Sequence, residues 1–142
     1  AYRKAIHARA PQFQVLEQAC PLFVPLVEEG WFDHPAARLI AAEYLRPLRD
    51  AAVDALVLGC THYPLLKPLL QAEMGPDVRL IDSGEETARA LEEILARHSL
   101  SGVPGSESTH RFVVSDDEAR FRSVGQRFIG ERLSGAEVVP LG

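Results

Sequence analysis

The sequence predicts an α/β fold with a largely parallel sheet, and three observations carry that prediction. The run VDALVLGC (53–60) is a continuous valine and leucine stretch, as in a parallel strand covered on both faces. VRLID (78–82) is a second short apolar run, and a helix-like segment separates the two. Ser83-Gly84-Glu85-Glu86 and Ser115-Asp116-Asp117-Glu118 each read as a capping box opening a helix behind a strand. Strands that alternate with helices point to a parallel architecture.

The elements follow in order. Tyr2, Ala5, Ile6 and Ala10 fall at helical spacing, and Pro11 stops that first helix. FQVLEQA (13–19) reads as a short strand, and PLFVPLVEEG (21–30) as a turn and a short helix ending near Gly30. HPAARLIAAEYLRPLRDAA (34–52) places Ile40, Tyr44 and Leu48 on one helical face. Pro47 is expected to kink or divide this helix, because it lacks a backbone donor and crowds the preceding turn. After the 53–60 strand, 61–75 reads as turn and helix, closed by Gly75 and Pro76. Behind the 78–82 strand, Leu91, Ile94 and Leu95 form the apolar stripe of the next helix. Residues 99–109 are linker-like, rich in Ser, Gly and Pro. A strand at 110–115, a helix bearing Phe121, Val124 and Phe128, and a strand at 136–141 complete the chain.

The bulk properties narrow the function classes. With 142 residues, 46% hydrophobic and 25% charged, the chain has the make-up of an ordinary globular protein with a real core. A net charge of −5, with both signs interspersed, argues against nucleic acid as a partner, since phosphate binding needs a basic face. No apolar run approaches the roughly 18 residues of a membrane helix, so no membrane is expected. Two cysteines are too few for a disulfide framework, which predicts reduced thiols and a cytoplasmic location. The chain opens on Ala1 within a helix-like segment and without an initiator methionine. It is therefore expected to be processed or to be a piece of something longer.

The strand end Gly59-Cys60-Thr61-His62 is the candidate site. Ligands of parallel α/β sheets bind outside the carboxyl ends of strands. A thiol there, just before a helix, meets backbone N–H groups and the positive helix end, which favour thiolate. His62 is close enough in sequence to exchange a proton, and Thr61 offers a hydroxyl. Position alone leaves packing and function about equally placed for Cys60. A zinc site from Cys20, His34, Cys60 and His62 lacks paired ligand spacing, so no metal is expected. A Cys/His hydrolase would need a third orienting residue; Glu28 or Glu29 qualifies, and each also reads as a solvated helix end.

Three ordered blocks carry a resemblance. VLGCTHYPLL is similar to the signature around the second catalytic cysteine of the glutamate racemases, within the aspartate/glutamate racemase superfamily. ACPLFVPLVEEGW (19–31) and VRLIDSGEETAR (78–89) resemble the blocks that flank it, and HRFVVSDD is more weakly similar. The resemblance implies racemisation of L- and D-glutamate with no cofactor, one thiol removing the α-proton while a facing thiol delivers another. It makes Cys60 the thiol serving L-glutamate, Thr61 a substrate-binding residue, His62 an aid to proton transfer, and Glu28 the carboxylate that positions His62. Glu29 is the second candidate for that last role. The product, D-glutamate, is expected to supply peptidoglycan synthesis.

The departures are as informative as the matches. The family's first catalytic cysteine lies in an Ala-Cys-Asn-Thr-Ala type block, and an early Asp-Ser-Gly block helps bind substrate; neither occurs upstream here. Cys20 stands in ACPLF, which the family carries besides that first cysteine, so it is expected in the core. Asp82 and Ser83 match a later family block and are left outside the catalytic set. The chain thus resembles a C-terminal half of the two-lobed fold, inactive alone and wanting the N-terminal half as partner. Residues 1–82 would form the second lobe, and 83–142 the segment that returns to complete the first. Apolar faces left over would favour self-association. A non-catalytic folded or interaction module and an aspartate-specific racemase are the alternatives.

Overall fold

The computed structural model describes residues 1–103 and 109–141. These fall into two compact units, Ala1–Ala90 and Leu91–Gly142. The α/β expectation holds. The first unit opens with helix α1 (Tyr2–Arg9), followed by α2 (Phe23–Glu28) and α3 (Pro35–Asp50). Strand β1 (Ala55–Leu58) comes next, then a 3₁₀ turn (Tyr63–Leu66) leading into α4 (Lys67–Met74). Strand β2 (Arg79–Asp82) lies parallel to β1, with Ala55 opposite Arg79 and Leu58 opposite Asp82. A parallel pair cannot be joined by a tight hairpin, so the chain must cross over, and α4 supplies the crossover.

The core of this unit is aliphatic with one aromatic hub. Leu58 of β1 packs with Leu66, Leu69, Leu70 and Met74 around α4, with Ala37, Ala41, Leu45 and Leu48 of α3, and with Phe23, Leu26 and Val27 of α2. Phe23 is 1% exposed and meets Tyr44 and Tyr63 edge-on, each at a centroid distance of 5.4 Å. Cys20 belongs to this core, as the sequence predicts.

Four local expectations are corrected. Residues 13–19 form no strand: they are nearly all exposed and make no ladder, and apolar alternation cannot hold a strand without a pairing edge. Pro47 does not divide α3, which runs unbroken to Asp50. It lies within the last turn, where Ala51 N–H still donates to its carbonyl at 3.2 Å. The buried face of α3 is Ala37, Ala41, Leu45 and Leu48, with Ile40 and Tyr44 half-buried beside it. Strand β1 is not covered on both faces: of its four residues only Leu58 is buried, and among the described residues its one strand partner is β2.

Helix α5 (Ser83–Arg97) follows β2 directly. Its cap is not Ser83: the Asp82 carboxylate accepts from Gly84 N–H at 2.8 Å and from Glu85 N–H at 3.3 Å. No residue of α5 is buried, and Leu91 and Ile94 from its expected apolar stripe are exposed. Within the linker reading, residues 104–108 lie outside the described residues.

The second unit pairs two short parallel strands, β3 (Val113–Val114) and β4 (Glu137–Val138), far shorter than the sequence suggests. Between them runs α6 (Glu118–Ile129), capped by Asp117, whose carboxylate accepts from Arg120 N–H at 2.9 Å. The box read at Ser115 is therefore displaced to Asp117. Leu133 is 1% exposed and seats against α6 at Gly125, where a Cβ would come within 2.3 Å of the Leu133 side chain. An alanine there would force the Leu133 side chain to shift. Arg111 donates to Glu137 through Nε at 3.0 Å and Nη2 at 2.6 Å, tying the entry of β3 to β4.

Because Phe23 joins α2, α3 and the 3₁₀ turn, Phe23→Ala should destabilise the chain by about 3–5 kcal/mol. Urea unfolding should register this as a lower midpoint at unchanged slope. A loss below about 1 kcal/mol would mean that the hub collapses without cost.

Candidate active site

The carboxyl ends of β1 and β2 lie side by side, since Leu58 is the register partner of Asp82. From Leu58 the chain turns through Gly59, Cys60, Thr61 and His62 into the 3₁₀ turn. Gly59 leaves room for the ring of Tyr2, whose Cε2 would stand 3.2 Å from an added Cβ. Tyr63 N–H donates to the Cys60 carbonyl at 3.2 Å, and Leu65 N–H to that of His62 at 3.2 Å, so the turn is internally bonded.

The structure brings together Glu28 and His62, far apart in sequence. His62 Nε2–H donates to Glu28 Oε1 at 2.6 Å, with both side chains about a quarter exposed. A carboxylate can only accept, so this bond places a proton on Nε2 and leaves Nδ1 outside it. Thr61 Oγ1 lies 3.4 Å from that Nδ1, a long contact. Glu28 ends α2 while Glu29, one position on, is exposed; the geometry selects Glu28 as the partner. Cys60 is a half-buried free thiol, and Thr61 is exposed.

Aromatic packing fixes the turn from beneath. Tyr63, held on the Phe23 ring, donates its hydroxyl to the Cys20 carbonyl at 3.3 Å. Burial, then the nearby thiols of Cys20 and Cys60 and the Tyr44 phenol, push the Tyr63 phenol above its usual value. Burial likewise pushes the Cys20 thiol up to about 11, so it stays protonated in neutral water.

The helix-start reading of Cys60 needs correction. Regular helix begins only at Lys67, and the 3₁₀ turn intervenes, so the thiol does not sit on the first turn of α4. Of the four side chains weighed for zinc, three are engaged elsewhere. Cys20 is buried, and His34 caps α3 through Nδ1 at 3.1 Å while stacking on Trp31. His62 is engaged with Glu28. Among the described residues no group of three or more His, Cys, Asp or Glu side chains is arranged to hold a metal ion.

Lys67 was missed in the sequence. Its ammonium lies 2.8 Å from Asp82 Oδ2 and also pairs with Glu85. Asp82 is 6% exposed. Burial alone would raise its carboxyl, but hydrogen bonds from Lys67, Glu85 N–H and Gly84 N–H outweigh burial and hold it below the usual range. The available signal was a lysine at a helix start, where cations are disfavoured. An open surface groove between α4 and β2, bordered by Lys67, Gln71, Asp77 and Arg79, contains none of Glu28, Cys60, Thr61 and His62. Cys60, Thr61 and His62, with Glu28 bonded to His62, form a wall at the carboxyl end of β1.

A family model described as Asp/Glu/Hydantoin racemase matches residues 1–91. A glutamate racemase of Syntrophus aciditrophicus is 51% identical over 141 residues, which are 99% of this chain and 52% of that protein. One from Neisseria meningitidis is 47% identical over 142 residues, 100% of this chain and 52% of that protein. Among solved structures, glutamate racemase from Francisella tularensis in complex with D-glutamate aligns with TM-score 0.87 at 36% identity. That alignment covers 98% of this chain and 52% of the other. A Bacillus anthracis glutamate racemase aligns with TM-score 0.85 at 32% identity, covering 99% of this chain and 52% of the other. The chain spans about half the length of the curated relatives it matches.

The two thiols should react differently. Iodoacetamide at about pH 8 should modify Cys60 and spare Cys20 until the chain is unfolded, because only thiolate attacks. Mass spectrometry of timed samples reads this, and equal modification would refute the buried placement of Cys20. Asp82 adds an acid limb. Its folded carboxyl is held below the usual carboxylate value, so the unfolded chain takes up this proton first. The stabilisation is present above pH 3.8 and is lost as pH falls through the lower folded value. Acid titration of unfolding should therefore lose part of its slope in Asp82→Asn.

Proposed function

The chain belongs to the Asp/Glu/hydantoin racemase family, and on that premise we propose that it is the C-terminal half of a glutamate racemase. Residues 1–82 are the second lobe, and 83–142 return to complete the first. The observation that carries this reading is the 2.6 Å bond between Glu28 and His62 on the turn that bears Cys60. A thiol, a hydroxyl and a carboxylate-oriented imidazole on one strand end suit acid–base work at carbon. They suit a metal-free hydrolase less, because the turn spends its Tyr63 and Leu65 amides on its own carbonyls.

Racemisation requires loss of the α-proton from one face and gain of a proton on the other. With L-glutamate, the Cys60 thiolate takes the α-proton, the C–H electron pair remains on the α-carbon, and a facing thiol protonates that carbon from the opposite side. In the reverse direction Cys60 is the donor. His62, its tautomer fixed by Glu28, exchanges a proton with Cys60 so that each cycle restores the thiolate. Thr61, exposed beside it, binds the amino acid. The second thiol belongs to the N-terminal half, which we propose as the partner that closes the cleft. The exposed Leu91 and Ile94 of α5 and Phe121 of α6 support this, being apolar surface in want of cover. Self-association is what such surface favours when that partner is absent.

The chemistry uses no cofactor, its product is D-glutamate for peptidoglycan, and the compartment is the cytoplasm. Among the described residues, no helix is long and apolar enough to cross a membrane.

The chain alone should give no measurable change in the circular dichroism of L- or D-glutamate. Mixed or fused with a half that carries the second thiol, it should racemise glutamate and not aspartate. Cys60→Ser should abolish turnover, and His62→Ala should lower kcat by on the order of 10²- to 10⁴-fold. Robust racemisation by the chain alone, lost in Cys60→Ser, would overturn the half-site reading. Turnover of aspartate instead would move the substrate.

A further inference from the structure

Two adjacent residues hold both ends of the segment that carries Cys60. Ser83 Oγ donates to the Leu58 carbonyl at 3.2 Å, where that segment begins. Asp82 Oδ2 accepts from Lys67 Nζ at 2.8 Å, where the segment ends. The same carboxylate turns Oδ1 to Gly84 N–H and Glu85 N–H. One buried group therefore joins the start of α4 to the start of α5, beside the last rung of the ladder between Leu58 and Asp82.

Capping α5 explains only half of this. An exposed aspartate would cap as well and would need no lysine. Lys67 is the first residue of α4, where a cation is disfavoured by the helix dipole. A residue that breaks a local rule needs a compensating interaction elsewhere, and functional sites are where such exceptions gather. The compensation is the Asp82 ion pair, reinforced by Glu85. Its geometric effect is to fix the distance across 59–66 from outside the turn, as the Glu28–His62 bond does from the α2 side.

We propose that Lys67, Asp82 and Ser83 are positioning residues, a clasp that sets Cys60 at the reacting distance from the α-carbon without touching substrate. The proposal rests on the racemase reading above. Small displacements at a reacting atom cost rate steeply while leaving binding nearly intact. A loosened clasp slows the proton transfer at Cys60 alone and leaves the transfer at the facing thiol untouched.

The test uses the chain assembled with its complementary half. If the unsubstituted assembly does not racemise glutamate, the functional reading fails before any variant is made. If it does, Lys67→Met should lower kcat about tenfold or more with KM within about twofold. The primary isotope effect with α-deuterated L-glutamate should rise, because removal by Cys60 becomes more rate-limiting, and that with α-deuterated D-glutamate should fall. Lys67→Arg should restore both. A variant that only unfolds some molecules lowers both directions with isotope effects unchanged, and that outcome would overturn the proposal. So would a large rise in KM, which would put Lys67 on the substrate. Should Lys67→Met not fold, Ser83→Ala removes a single hydrogen bond and should give the same asymmetry at smaller size. Symmetric isotope effects in that variant would refute the clasp.

Discussion

Phe23 is the contact on which the rest of the site depends. It is almost wholly buried and holds the ring of Tyr44 on one side and that of Tyr63 on the other. Through it α2 and α3 are packed against the turn that leaves β1. Glu28 directly follows Leu26 and Val27, which share that core, and so it arrives at His62. The energy holding the two together is mainly apolar burial; a quarter-exposed hydrogen bond contributes modestly by itself. The polar geometry is thus a consequence of the apolar packing, and the short Glu28–His62 bond reports that the packing is well aimed.

The chemistry proposed for this wall has a physical logic that rests on residue type. Carbon acids with high pKa need a base held close and water kept away, and a thiolate is less tightly hydrated than an oxyanion base. An imidazole beside it manages the proton between turnovers, and it can do so only if its tautomer is fixed. The Glu28 carboxylate does that. The other free thiol, Cys20, is pushed up to about 11 by burial and lies in the core, so it competes for no such role. The surroundings of the two cysteines thus agree with what their local sequences, ACPLF and GCTH, led one to expect of Cys20.

Much of the fold was legible in the sequence because burial follows period. The β1 and β2 strands, the crossover helix and the helices α3, α5 and α6 all came from apolar spacing and punctuation. Misreadings fell where the outcome depends on a partner. Residues 13–19 alternate acceptably for a strand but find no edge to pair with. Both capping boxes were displaced to the nearby aspartates, Asp82 and Asp117, because a carboxylate already aimed at the helix start outcompetes a hydroxyl. Pro47 failed to divide α3 because the loss of one donor near the helix end is tolerated when Leu45 and Leu48 are locked in the core.

The sequence by itself determined the residue chemistry of the candidate site, Cys60, Thr61 and His62 at a strand end, and the family these blocks belong to. Contiguous residues carry that information, so no folding calculation is needed to read it. Only the tertiary structure decided between Glu28 and Glu29, because the choice depends on the rotation of α2 against a turn distant in sequence. It alone revealed that Lys67, Asp82 and Ser83 close on both ends of the Cys60 segment. Hydrogen bonds between residues remote in the chain leave no periodic trace, since each needs one partner at one distance rather than a pattern.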